Sequence, residues 1–178
     1  MMKKELKTTY LILGASFAGF SCASKLKEIE PNCELLIVDK NSQICYLPNG
    51  LNYYYRHQLD DLEQAIGTLK SDYLDKDDFL EATAEKILPE EKSVIVRKND
   101  GEILTIYYNY LICAMGASAD SLYIKGTDFK KVVTTKYYQN SQVAKKYLSD
   151  AKRILIVGGG PIGLDMAYSL TLQKKKLP

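Results

Sequence analysis

A chain of 178 residues, 46% of them hydrophobic, is long enough to bury the core of one domain or slightly more. Its net charge of +2, with acids and bases interspersed, gives no reason to expect nucleic acid as a partner, and Lys174-Lys175-Lys176 reads as a solvated tail. No apolar stretch reaches the length of a membrane span, and the polar start Met1-Met2-Lys3-Lys4-Glu5 lacks a signal-peptide core, so no membrane association and a cytoplasmic location are expected.

The first element is the apolar run Tyr10-Leu11-Ile12-Leu13, a buried-strand signal. It leads into Gly14-Ala15-Ser16-Phe17-Ala18-Gly19. Gly14, Ser16 and Gly19 fall at the spacing of a dinucleotide-binding turn, which runs from strand to helix and aims backbone N–H groups at a pyrophosphate. Serine replaces the usual middle glycine. A helix over Phe20–Ile29 follows, stopped by Pro31, and then a strand over Glu34–Val38. Asp39 closes that strand 20 residues after Gly19, where a carboxylate accepts the ribose hydroxyls of an adenosine. Read without a ligand, the same unit is an ordinary βαβ turn whose glycines serve packing.

Residues Asn41–Arg56 form the least regular part, with a turn at Pro48-Asn49-Gly50. The tyrosines after it line an interface, a ligand wall or a half-exposed surface. Asp60–Lys70 has helical periodicity, with Leu59, Leu62, Ala65, Ile66 and Leu69 on one side. Strands are expected at Ala82–Ile87, Ser93–Val96, Ile103–Ile106 and Tyr110–Ala114, with a hairpin at Lys98-Asn99-Asp100-Gly101. Residues 119–136 read as a connector and Gln142–Leu148 as a helix. The strand-turn-helix pattern then returns: Arg153-Ile154-Leu155-Ile156-Val157, a full fingerprint at Gly158-Gly159-Gly160-Pro161-Ile162-Gly163, and a helix over Leu164–Leu172.

The four cysteines, Cys22, Cys33, Cys45 and Cys113, form no metal-ligand spacing; Cys22 and Cys113 are expected to be buried, and no structural disulfide is expected. No metal site is expected. His57, the one histidine, reads as a surface or packing residue.

Two fingerprints separated by a β-meander and an Ala-x-Gly strand end resemble the FAD-dependent pyridine nucleotide–disulfide oxidoreductases, in particular the NADH oxidase and coenzyme A-disulfide reductase branch. Gly14–Gly19, Asp39, Ile44–Gly50, Tyr110–Gly116 and Lys152–Gly163 carry the resemblance, which covers essentially the whole chain. It implies an α/β architecture: a Rossmann-like FAD/NAD(P)-binding fold with a parallel sheet and a β-meander, followed by the start of a second Rossmann unit. The expected division is an FAD-binding part over 1–118, a connector and helix over 119–150, and the truncated start of an NAD(P)-binding domain over 151–178.

The resemblance also implies site residues. Gly14, Ala15, Ser16, Phe17, Ala18 and Gly19 would bind the FAD pyrophosphate, and Asp39, Lys40 and Asn41 the adenosine end. Ala84 would contact adenine through its backbone, and Ala114, Met115 and Gly116 would lie along the flavin. Gly158, Gly160 and Gly163 would belong to the NAD(P)H site, incomplete here. Asn49 occupies the position of the branch's redox cysteine, with Cys45 four residues upstream. No catalytic residue is assigned, because asparagine forms neither a thiolate nor a disulfide.

The implied activity is NADH oxidase-like oxidoreduction, with hydride passing from NAD(P)H to the flavin and on to an acceptor such as dioxygen. The alternatives are a non-catalytic module that holds an adenine dinucleotide, or an inactive fragment. The tyrosine-rich stretch and the uncovered second unit point to a homo-oligomer.

Overall fold

The computed structural model describes residues 4–67, 74–118 and 124–173. The chain forms two compact units, one of residues 1–45 and 69–116, the other of residues 46–68 and 117–178.

The first unit is built on five strands: β1 (Lys4–Leu13), β2 (Leu35–Asp39), β3 (Phe79–Leu88), β4 (Ser93–Lys98) and β5 (Ile103–Cys113). β1 is central and parallel to both β2 and β5, with Tyr10 opposite Leu35 on one side and Tyr110 on the other. β2 continues parallel to β3, while β3, β4 and β5 form an antiparallel meander. β3 and β5 are long enough to belong to both arrangements, so the pairing closes into a barrel. The expected hairpin is formed, with Gly101 at φ 89° and its N–H donating to the Lys98 carbonyl. Leu11 and Leu13 point into the barrel with Val38, Val94, Val96 and Ile106. Ile12 points the other way, onto helix α1 (Phe17–Ile29), with Ala23, Leu35 and Ile37. A strand buried on both faces reads as an unbroken apolar run, as Tyr10–Leu13 does.

The second unit holds α2 (Gly50–Tyr55), α3 (Tyr138–Asp150) and α4 (Pro161–Leu172) around a core of Leu51, Leu62, Ala144, Leu148, Met166 and Leu170. Three of its tyrosines belong to this core, since Tyr55 is buried and Tyr46 packs edge-on against Tyr138 at 5.6 Å between ring centres, while Tyr53 and Tyr54 are half-buried.

Four expectations are corrected. The least regular stretch, from residue 41 to 56, contains a helix as well as a turn, since Asn49 is the N-cap of α2. The periodic segment from Asp60 does not make an α-helix. It makes a short 3-10 helix, Leu62–Ala65, with Leu62 and Ala65 buried, and ends at the extended Ile66 and at Gly67 with φ 65°. Residues 68–70 of that segment lie outside the described residues. The two strands expected around Tyr107-Tyr108-Asn109 are one, because Tyr108 is itself buried in the barrel. Finally, 153–157 has the sequence of a buried strand but forms only an isolated bridge at Arg153. Among the described residues no strand ladders with it, and Leu155 and Val157 are 75% and 66% exposed.

Candidate dinucleotide-binding site

In the first unit, β1 delivers the chain to Gly14 at φ +106°, a conformation an L side chain rarely adopts. A β-carbon there would lie 2.3 Å from the Ala114 carbonyl oxygen, so the turn packs directly on the end of β5. The Gly14 N–H donates to the Val38 carbonyl at 2.8 Å, and the Ala114 N–H donates to the Leu13 carbonyl at 2.8 Å. Gly19, in the first turn of α1, closes on Gly14: a β-carbon on Gly19 would lie 1.8 Å from the Gly14 carbonyl oxygen.

Ser16 is the N-cap of α1 with φ −84° and ψ −166°. That backbone is open to any residue, which explains why serine is accepted at the middle position. Helical bonding begins with the Phe20 N–H, which donates to the Ser16 carbonyl at 2.9 Å. The N–H groups of Phe17, Ala18 and Gly19 therefore have no partner within α1, and Ser16 and Ala18 are exposed. Such an end carries partial positive charge and suits an anionic group.

Asp39 stands at the end of β2 beside this turn. Its Oδ2 accepts the Ala15 N–H at 2.8 Å. Its Oδ1 accepts the Asn41 N–H at 2.8 Å and the Asn41 side-chain amide at 3.0 Å. The bond from the Asn41 N–H to Asp39 is an Asx turn, in which an Asp carboxylate accepts the backbone N–H two residues on. Sequence reasoning missed a further contact: the Ala15 carbonyl accepts both the Cys45 N–H, at 3.0 Å, and the Cys45 thiol, at 3.6 Å. Cys45 is 1% exposed and burial pushes its thiol up to about 12, so it offers no thiolate at neutral pH.

Gly14, Ala15, Gly19, Asp39, Asn41, Cys45 and Ala114 are thus one cluster. Lys40 is exposed beside it, Met115 is exposed after Ala114, and Gly116 has φ 64°. Ala84 is half-buried in β3, three residues past Glu81, the strand partner of Asp39. Cys113 is exposed, contrary to expectation: β4 pairs with β5 only as far as Tyr107, and among the described residues no strand covers that edge of β5 beyond it.

In the second unit the other fingerprint repeats the first turn. Gly158 has φ +108°, the N-cap Gly160 has φ −76° and ψ −179°, and a β-carbon on Gly163 would meet the Gly158 carbonyl oxygen at 2.1 Å. Unlike Gly14, Gly158 has nothing within 4 Å of its β position. Helix α4 is fixed to α2 by polar contacts the sequence did not reveal. The Asn52 amide and the Arg56 guanidinium donate to the Asp165 carboxylate, and Arg56 Nε donates to Ser169 Oγ at 2.9 Å. Burial alone would raise the Asp165 carboxyl, but its partners Asn52 and Arg56 outweigh it and hold the group below the usual range. Asn49 is exposed at the start of α2, and its carbonyl accepts the Asn52 N–H at 2.9 Å. His57 is exposed in the same unit.

The model of the pyridine nucleotide-disulphide oxidoreductase family matches residues 8–177. The chain belongs to that family. Among curated relatives, this family member is 29% identical over 176 residues to the NAD(P)H sulfur oxidoreductase (CoA-dependent) of Pyrococcus abyssi, covering 97% of this chain and 39% of the relative. It is 26% identical to the NADH oxidase of Methanocaldococcus jannaschii, over 90% of this chain and 37% of that enzyme. The chain therefore spans well under half the length of these relatives. In fold it matches the water-forming NADH oxidase of Lactobacillus brevis with a TM-score of 0.87, at 22% identity, over 96% of this chain and 38% of that one. No helix among the described residues is long and apolar enough to cross a membrane.

Proposed function

We propose that the chain is the dinucleotide-binding part of an FAD-dependent NAD(P)H oxidoreductase of the NADH oxidase kind, with residues 1–118 holding FAD and residues 151–178 opening the NAD(P)H site. The observation that carries this reading is the first turn: a glycine at φ +106° packed on a neighbouring strand, then a helix start whose first N–H groups have no partner within the helix and no side-chain cap. The donor set suits a pyrophosphate, so the residues fit the cofactor. The open N–H groups of Phe17, Ala18 and Gly19 would hold the pyrophosphate, with Gly14, Ala15 and Ser16 shaping the turn. Asp39, Lys40, Asn41 and Ala84 would take the adenosine, and Ala114, Met115 and Gly116 would border the flavin. Bound FAD would supply the hydride-accepting ring; the residues named bind and orient it.

With Asn49 at the family's redox-cysteine position and Cys45 buried as a neutral thiol, the acceptor assigned is dioxygen or a small electron carrier rather than a disulfide. A second reading is a binding module without turnover, for which Asn49 in place of a redox cysteine speaks. Titration with FAD, followed by quenching of flavin fluorescence, tests the shared claim. FAD should saturate the protein, and FMN, which lacks the adenosine half, should bind at least about tenfold more weakly, since several polar contacts are lost. Equal affinity for FMN, or no binding of FAD, would overturn the assignment. Bleaching of bound flavin by NADH then separates the enzyme from the module.

A further inference from the structure

Asp39, the last residue of β2, meets protein donors at both of its carboxylate oxygens. Asp39 Oδ2 takes the Ala15 N–H at 2.8 Å, and Oδ1 takes two N–H groups of Asn41 at 2.8 and 3.0 Å. On its other side Ala15 is held by its carbonyl, which accepts the Cys45 N–H and thiol. Ala15 itself is 2% exposed and lies between Gly14 and the helix cap Ser16, so it joins the glycine turn to the start of α1.

We propose that Asp39 and Cys45 are positioning residues that grip Ala15 at its N–H and its carbonyl and so pre-form the phosphate turn, and that Asp39 contributes to dinucleotide affinity through this grip as well as through the ribose. The inference rests on the reading of the first turn as a dinucleotide site, but the grip itself consists of contacts within the protein. Counting lone pairs gives its consequence for the ribose. Oδ1 is used twice, so only Oδ2 retains an open acceptor position, and Asp39 accepts one ribose hydroxyl and not two.

The isosteric variant Asp39→Asn isolates the grip. One carboxylate oxygen becomes an NH2 group, and whichever way the amide turns it sets a donor against a donor. Turning the NH2 towards Asn41 would break two bonds and towards Ala15 only one, so the Ala15 bond is the one lost.

Two measurements test this. The first is amide hydrogen exchange of the ligand-free protein, resolved at Ala15 by NMR. The Ala15 amide should be protected in the wild type and should exchange about tenfold faster in Asp39→Asn, while amides of β1 and β5 hold their rates. An unprotected Ala15 amide in the wild type would overturn the proposal even if the variant failed to fold, and so would unchanged exchange in the variant. The second compares ADP with 2′,3′-dideoxy-ADP as ligands of both proteins. A role through the ribose alone predicts that Asp39→Asn costs nothing with the dideoxy ligand. The grip predicts that the variant still weakens it, by about fivefold or more, as expected for one disordered hydrogen bond. A protected Ala15 in a protein that binds no adenine nucleotide would leave the grip standing and remove the functional reading instead.

Discussion

The two fingerprint glycines offer an internally controlled experiment. Gly14 and Gly158 share nearly the same backbone, at φ +106° and φ +108°. Replacing either with alanine forces an L residue into a region used almost only by glycine, at about 1–3 kcal/mol. Their surroundings differ. A β-carbon on Gly14 would sit 2.3 Å from the Ala114 oxygen, 2.7 Å from its carbonyl carbon and 3.1 Å from the Met115 nitrogen, whereas one on Gly158 meets nothing within 4 Å. Those neighbours of Gly14 are backbone atoms anchored by the Ala114–Leu13 hydrogen bond, so they cannot swing aside. Overpacking against such atoms adds about 1–3 kcal/mol. Gly14→Ala should therefore cost about 2–6 kcal/mol and Gly158→Ala about 1–3 kcal/mol, the excess being the overpacking contribution. Urea unfolding followed by far-UV circular dichroism, with each transition fitted separately, measures both. Equal losses, within about 0.5 kcal/mol, would refute the reasoning that β5 closes on the first turn.

Arg56→Ala should destabilise the unit holding α2 and α4 by about 1–2 kcal/mol at neutral pH, since it strips a largely buried charged partner, 21% exposed, from Asp165. Because the folded state holds the Asp165 carboxyl below its ordinary range, this stabilisation is present above the unfolded-state value and is lost as pH falls through the folded-state value. The gap between variant and wild type should thus shrink on acidification in denaturant titrations; a gap constant down to acid pH would contradict the ion pair. Lys27→Met should cost about 3 kcal/mol by leaving Asp78 unpaired, because the two side chains are only 14% and 11% exposed and 2.8 Å apart; a thermal melt within a degree of wild type would count against it. In native protein at neutral pH a maleimide should label exposed Cys113 well before buried Cys45, as mass spectrometry of the digests would reveal. Early labelling of Cys45 would mean that the loop around it opens.

What was legible in the sequence was what is local. The apolar run Tyr10–Leu13, the glycine spacing and the Asp-Gly hairpin each encode their geometry within a few residues, and β1, the first turn and the β4–β5 hairpin follow them. Ladders are not local. Arg153–Val157 carries as strong a strand pattern as β1, but β1 has β2 and β5 beside it while 154–157 has no partner among the described residues. Tyr107-Tyr108-Asn109 hid the continuity of β5, because a buried tyrosine resembles a polar break in a periodicity count. Helix α2 was concealed by Pro48 and Gly50, which read as a turn, although Gly50 opens a helix whose Tyr55 is buried in the core. At the site, the glycines were identified by spacing, whereas the hold of Cys45 on Ala15 joins residues 30 apart and leaves no pattern in the sequence.

The most direct test of the central claim is the visible absorption spectrum of the purified protein after incubation with FAD and removal of the excess. The account predicts flavin bands that remain with the wild-type protein and are lost in Gly14→Val, whose branched side chain cannot occupy the turn. A protein that stays colourless after loading, or a Gly14→Val variant that retains the flavin as firmly as the wild type, would contradict it.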